Sequence, residues 1–235
     1  MGYEPSDAQA WENYPRIGLF GGTFNPVHNG HLRSMVDIRE AFSLDRLIII
    51  PSAIPPHKSM VGVATATDRC AMIRQSIAGM PGFVLSDVEV LRRGLSYSID
   101  TVKHFKEEFP LPAQLFFIMG MDAFLEVDTW KSYEELLSLV PVIIMSRPGK
   151  WKENRADPLE AVALFLKTHI SPDYEQNAAS AEFSHPVLQS VYVNDVTSLD
   201  ISSTRIRQLL KQKKSIRYLV PEQVADFIEK KGLYR

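Results

Sequence analysis

Residues 18–32 read GLFGGTFNPVHNGHL, and the transition inside this stretch decides the fold. The apolar run Ile17 to Phe20 stops at Gly21-Gly22, as a buried strand entering a tight turn would. A polar loop follows, and Leu32, Met35, Val36 and Phe42 then recur near helical spacing, so a helix is predicted to begin around Gly30. Glycine lets a backbone approach a phosphate closely. A helix N-terminus presents free N–H groups and the positive end of a dipole to an anion. His28 and His31 stand at that helix start, where two imidazoles could stabilise charge on a phosphoryl group during transfer. Spacing alone leaves three readings open: a phosphate site, ordinary polar residues after a generic glycine turn, or a zinc pair. No carboxylate-rich zinc motif accompanies the histidines.

Outward from this stretch, strand-like and helix-like segments alternate. Leu47 to Ile50 is a second apolar run stopped by Pro51, and a loop from Pro51 to Ala66 leads to a helix with Thr67-Asp68 as its predicted N-cap. Phe83 to Leu91 reads as a strand, and Ser98 as the cap of a helix carrying Ile99, Val102, Phe105 and Phe109. Gln114 to Met119, Val142 to Met145 and Ser190 to Val196 read as further strands. The predicted helices between and after them are Asp122 to Val127, Tyr133 to Val140, Pro158 to His169, Ser203 to Lys214 and Glu222 to Lys231. Ser171 to Pro186 is polar and patternless, which predicts a loop. Single apolar strands separated by helices imply an α/β protein with a doubly wound, mostly parallel sheet and appended C-terminal helices. There is no internal repeat and no composition break. Residues 16–235 are therefore expected to form one domain, with residues 1–15 as an N-terminal extension.

Composition narrows the function classes. The 235 residues are 45% hydrophobic and 23% charged, which excludes a disordered chain. Lys and Arg number 26 against 28 Asp and Glu, so no bulk positive charge is present to coat a nucleic acid. Phosphate-bearing ligands would need a local site. Cys70, the one cysteine, allows neither an intramolecular disulfide nor a cysteine zinc cluster, and its apolar helical context predicts a small buried hydrophobe rather than a reactive thiol. The polar N-terminus is not a signal peptide, and the longest apolar runs are too short to span a bilayer. The expectation is a cytoplasmic protein with no nucleic-acid or membrane partner, and the sequence leaves homo-oligomer formation open.

Several ordered blocks carry a resemblance. GGTFNPVHNGHL resembles the N-terminal signature of nucleotidyltransferases with a His-x-x-His form of the HIGH motif. Ile201 to Arg207, ISSTRIR, resembles the ISSTxIR element of the same superfamily, about 170 residues downstream. PSAIPPHK (51–58), RGLSYSIDT (93–101), IMGMD (118–122) with Trp130, and the ending YLVPEQVADFIEKKGLY are similar to segments of the bacterial nicotinate-nucleotide adenylyltransferases. The resemblance runs from about Arg16 to Arg235. Three departures stand out: Asn25 where the family often has aspartate, Ser98 where threonine is usual, and Leu95 where proline is common. With Asn25, no carboxylate metal ligand can be invoked at that position.

The resemblance implies a Rossmann-like nucleotidyltransferase fold and adenylyl transfer from ATP to nicotinate mononucleotide, giving nicotinate adenine dinucleotide and pyrophosphate. It places His28 and His31 on the ATP phosphates, with Gly22 and Thr23 holding the nucleotide. Ser202, Ser203, Thr204 and Arg207 would grip the β- and γ-phosphates, and Gly120 and Asp122 would contact ribose or adenine. Lys58, Tyr97, Ser98 and Trp130 would bind the mononucleotide, Trp130 by stacking on the pyridine ring. Arg205 and Lys211 to Lys214 read instead as a solvated helix face. Magnesium is implied as a counter-cation bound mainly through the ATP phosphates, with no protein ligand set. A transferase preferring nicotinamide mononucleotide is the nearest rival. Phosphopantetheine adenylyltransferases and cytidylyltransferases share the first motif but lack the SYSIDT and GLY-ending context. A non-catalytic nucleotide-binding regulator is disfavoured by the presence of both histidines and Arg207. A tRNA synthetase fragment is disfavoured by the absence of KMSKS.

Overall fold

The computed structural model describes residues 16–54, 62–92, 94–109, 112–147, 157–177 and 180–235. Among them an eight-stranded sheet runs in the order β3-β2-β1-β4-β5-β8-β7-β6. Its strands are β1 (Arg16–Gly22), β2 (Arg46–Pro51), β3 (Phe83–Leu85), β4 (Gln114–Gly120), β5 (Val142–Ser146), β6 (Glu175–Gln176), β7 (Glu182–Ser184) and β8 (Val191–Asp195). The six strands from β3 to β8 in that order are parallel, and β7 and β6 extend them antiparallel. The order reverses at β1 and β4: β2 and β3 build outward on one side, β5 and β8 on the other. The carboxyl ends of β1 and β4 thus border the crevice where open α/β sheets bind ligands.

The helices are α1 (Asn29–Ala41), α2 (Ala66–Ser76), α3 (Val88–Arg92), α4 (Ser98–Glu108), α5 (Met121–Phe124), α6 (Tyr133–Leu139), α7 (Pro158–Phe165), α8 (Ser203–Lys211) and α9 (Glu222–Lys231). Successive strand side chains alternate between faces, so the near-continuous apolar runs of a parallel sheet feed two core layers. Ile17, Leu19, Ile48, Ile50 and Phe117 face the layer of α4 to α7. Phe20, Leu47, Ile49, Phe116 and Ile118 face the layer of α1, α2, α8 and α9. Ile206 of α8 and Val224 and Ile228 of α9 are buried there, so the C-terminal helices are an integral part of that layer.

Several predicted elements shift. Phe83 to Leu91 is a strand only to Leu85, because Ser86-Asp87 starts a new turn and the remaining apolar residues belong to α3. The segment Ser171 to Pro186 contains β6 and β7, which bury Phe183. The cap of α2 is Thr65, whose side chain accepts from the Asp68 N–H, not Thr67-Asp68. Tyr97 occupies the N-cap of α4 without a side-chain bond, and Ser98 is its first residue. The helix from Ser203 ends at Lys211 rather than Lys214. Cys70 is buried, and burial pushes its thiol above the ordinary range, as expected for an inert core residue.

Arg69 of α2 holds the loops at the sheet's carboxyl end. It is fully buried, and its guanidinium donates to four carbonyls: Ala64 at 3.1 Å, Thr23 at 2.8 Å, Ser52 at 2.7 Å and Ala53 at 3.4 Å. Its planar fork suits such a multidentate task better than an ammonium would. Arg69→Met removes all four donors and leaves buried carbonyls unpaired, which should cost about 3 kcal/mol or more of stability. Urea unfolding checks this; an unchanged midpoint would show that the loops hold themselves.

Candidate active site

The residues after β1 fold tightly on themselves. A Cβ at Gly22 would come within 2.9–3.3 Å of the Phe24 ring, so glycine is what lets that ring lie against the strand end. Phe24 takes a left-handed φ of 49°. At the start of α1, His28 is the N-cap and His31 is the third helical residue, and they cap each other reciprocally. His28 Nδ1 accepts from the His31 N–H at 3.3 Å, and His31 Nδ1 accepts from the His28 N–H at 3.3 Å. The two rings stack with centroids 3.6 Å apart and planes 19° from parallel. A Cβ at position 30 would sit 3.1 Å from His28 Nδ1 and 3.2 Å from Cε1, which is the physical reason for glycine inside HNGH. Because each Nδ1 accepts a backbone N–H, the proton of each neutral ring is assigned to Nε2, making each ring an Nε2–H donor. The capping and ligand-binding readings of these histidines are therefore compatible.

The second sequence block arrives at the same place. Ser202 caps α8 by accepting from the Arg205 N–H at 3.2 Å. Ser203 Oγ donates to the Pro26 carbonyl at 2.8 Å. Arg207 Nη1 donates to the Asn25 carbonyl at 2.8 Å, and Nη2 to Thr204 Oγ1 at 3.3 Å. Asn29 donates from its backbone to the Leu219 carbonyl and from its side chain to the Tyr218 carbonyl. Two helix N-termini, two histidines and one arginine are thus assembled around the loop 23–28. Arg205 and Lys211 to Lys214 are exposed.

Next to this cluster, a cavity of about 240 Å³ opens at the carboxyl ends of β1, β2 and β4. Gly22, Thr23, Tyr97, Ser98, Gly120 and Trp130 line it, so Gly22 and Thr23 belong to the cavity while leading into the histidine loop. Trp130 is half-buried and meets Phe117 edge-on, with centroids 6.5 Å apart. Asp122 is exposed on α5 and is not among the residues lining the cavity. Lys58 and Arg93 lie outside the described residues.

Four groups stand out here that sequence reasoning did not assign to the site. Arg69 fixes the Thr23 and Ser52 backbones at the cavity's edge. Lys131 lines the cavity, with its ammonium 4.5 Å from the Tyr97 ring centre and within 3.3 Å of the Asp100 carboxylate. Asn25 is buried and fully bonded through its side chain. Glu89 of α3 is buried against the cavity: Oε1 accepts from Thr101 Oγ1 at 2.7 Å, while Oε2 has no hydrogen-bond partner among the described residues. Burial pushes the Glu89 carboxyl above the usual range, against the opposing pull of Thr101, Ser96, Arg92 and Arg69. Nothing in the local sequence flags Arg69, which shares its helix with Asp68 and Arg74. Among the described residues, no group of three His, Cys, Asp or Glu side chains is placed to hold a metal ion. No helix among them is long and apolar enough to cross a membrane.

Residues 19–209 match the cytidylyltransferase-like family model. The "Probable nicotinate-nucleotide adenylyltransferase" of Geobacter sp. (strain M21) is 41% identical over 219 residues, covering 93% of this chain and 98% of the relative. The chain belongs to the nicotinate-nucleotide adenylyltransferase family. Relatives of the same description from Desulfatibacillum aliphaticivorans and Pelobacter propionicus are 40% and 42% identical, each over 93% of this chain. The fold is shared with the Plasmodium falciparum nicotinic acid mononucleotide adenylyltransferase complexed with NaAD. The match has a TM-score of 0.69 at 19% identity and covers 93% of this chain and 97% of that one. A second structure of the Plasmodium falciparum protein, complexed with APC, matches with a TM-score of 0.67 at 18% identity, over 94% and 97% of the chains. This nicotinate-nucleotide adenylyltransferase family member is an enzyme with the Rossmann-like sheet expected from its sequence.

The buried Glu89 carboxyl has a consequence for stability. An unfolded chain releases this proton near pH 4.3, whereas the folded chain holds it to higher pH. Stability is therefore lost as pH rises from the unfolded value toward the raised folded one. Glu89→Gln removes that penalty, so its stability relative to the parent should increase from about pH 4 to about pH 7. Denaturation midpoints at the two pH values check this; a constant difference would show an unshifted carboxyl.

Proposed function

We propose that this chain transfers the adenylyl group of ATP to nicotinate mononucleotide, releasing pyrophosphate and forming nicotinate adenine dinucleotide in NAD biosynthesis. The observation that carries this reading is the junction of ISSTRIR with HNGH. The Ser203 and Arg207 bonds to Pro26 and Asn25 join the start of α8 to the loop leading into α1, and Thr23 of that loop lines the Trp130 cavity. ATP lies with its phosphates between His28, His31, Ser202, Ser203, Thr204 and Arg207. Nicotinate mononucleotide enters the cavity, its pyridine ring against Trp130 and its carboxylate toward Tyr97 and Ser98. Thr23 and the Gly22 backbone stand between the two substrates. Gly120 borders the shared crevice. Asp122 stands at the start of α5, where contact with ribose or adenine requires a reach from outside the cavity lining. Lys58 is assigned to the mononucleotide by its sequence block alone.

The reaction is a direct in-line displacement. A phosphate oxygen of the mononucleotide forms a bond to the α-phosphorus of ATP as the bond to the bridging αβ oxygen breaks, and pyrophosphate leaves with that electron pair. The nucleophile is already an anion, so no general base and no covalent enzyme intermediate are needed. Catalysis then consists of alignment and charge neutralisation by preorganised donors. The reciprocal capping supports this, because it fixes both rings through Nδ1 and assigns the proton of each neutral ring to Nε2. Arg207, anchored by Nη1, is the fixed cation. Magnesium accompanies the ATP phosphates through phosphate oxygens and water. Residues 16–235 act as one catalytic unit in the cytoplasm, and residues 1–15 are an extension to it.

Pyrophosphate release from ATP, measured in parallel with nicotinate and nicotinamide mononucleotides, tests the reading. Turnover should favour the acid. No turnover with either would overturn the enzymatic reading, and a clear preference for the amide would reassign the substrate. His31→Ala should lower kcat by roughly 10²–10³-fold, as for loss of one preorganised donor. The lost cap should cost only about 1 kcal/mol of stability. Near-normal kcat in a folded variant would remove His31 from the mechanism.

A further inference from the structure

The sequence ends in Gly232-Leu233-Tyr234-Arg235, and the proposed chemistry leaves this ending without a role. Its geometry is specific. Gly232 closes α9 in the left-handed conformation at φ 63°, with its N–H on the Glu229 carbonyl and the Leu233 N–H on that of Ile228. Tyr234 takes φ 66°, a conformation a tyrosine adopts only where its surroundings enforce it. The chain thereby turns back toward the first loop, and Tyr234 Oη donates to Asn25 Oδ1 at 2.8 Å.

Asn25 is engaged through both polar atoms of its side chain and through its carbonyl. Oδ1 also accepts from the Ala64 N–H at 2.9 Å, and Nδ2 donates to the Gly62 carbonyl at 3.2 Å. Its backbone carbonyl receives Arg207 Nη1 at 2.8 Å. One buried residue therefore joins the backbone leading into α2 and the C-terminal turn through its side chain, and the arginine of α8 through its backbone carbonyl. A carboxylate could accept from Tyr234 and Ala64 but could not donate to Gly62, so asparagine at this position makes a four-way junction that aspartate could not. Burial raises the Tyr234 hydroxyl above its ordinary range, which keeps it a donor.

We propose that Tyr234 and Asn25 form a clasp that positions Arg207 and the histidine loop for the phosphates of ATP, making the C-terminal turn part of the nucleotide-binding apparatus. Both are positioning residues acting through Arg207, and the inference rests on the reading of Arg207 as a phosphate ligand. Loss of a neutral buried hydrogen bond corresponds to a several-fold change in binding. Tyr234→Phe removes only the hydroxyl and should raise KM for ATP about fivefold, leaving KM for nicotinate mononucleotide within about twofold. Asn25→Ala should do the same or more, and the double variant should be no worse than the worse single one, since both act through one junction.

Steady-state kinetics with each substrate varied, alongside thermal unfolding, read this out. Deleting residues 234–235 provides an independent route to the Tyr234 effect, should Asn25→Ala fail to fold. An unchanged ATP KM in folded Tyr234→Phe, an equal rise for both substrates, or multiplying effects in the double variant would each overturn the clasp. Failure of the enzymatic reading shows differently, as absence of turnover in the parent protein.

Discussion

The loops at the carboxyl end of the sheet depend on a buried positive charge whose hydrogen bonds go to backbone carbonyls. Arg69 sits inside the protein and is balanced by the carbonyls of Thr23, Ser52, Ala53 and Ala64. Burying an ion this way is costly unless its hydrogen bonds are satisfied. The arrangement can form only when three chain segments converge with the correct spacing. That requirement ties the turn after β1 to the end of β2 and the start of α2, and so defines the rim of the cavity before any ligand arrives. The same guanidinium places a fixed positive charge near the region proposed to hold the ATP phosphates, a contribution to the local field that surface cations would lose to screening.

The fold was legible where apolar periodicity is strong and local. β1, β2, β4, β5 and β8 are unbroken runs bounded by Gly or Pro or by polar residues, and α4 and α9 carry clear apolar stripes. The misread segments are those where a local pattern fits two elements. Val88, Val90 and Leu91 continue the apolar character of β3, but Ser86-Asp87 redirects the chain into α3. β6 and β7 are too short to show an alternation, and their pairing is settled by β8, to which β7 bonds.

The site was legible in part, for a related reason. His28, His31, Ser203 and Arg207 announce themselves as residue types with a role in anion binding, and their motifs survive as short contiguous blocks. Arg69, Glu89 and Asn25 do not. Each is an ordinary polar residue until distant partners are supplied: Thr23 and Ser52 for Arg69, Thr101 for Glu89, Tyr234 and Ala64 for Asn25. Asp122 was legible as part of its block, and its side chain is exposed on α5 outside the cavity lining.

The margins of the sheet carry a consequence for association. On one side it ends in β3, three residues long, and on the other in the two-residue β6 paired antiparallel to β7. Among the described residues, neither border offers a long run of unpaired backbone to template another strand. The long parallel strands that bear the chemistry are all interior to the sheet. Sheet continuation into a neighbouring copy therefore has little backbone to build on at either described border, and the register of the interior strands is set within the chain.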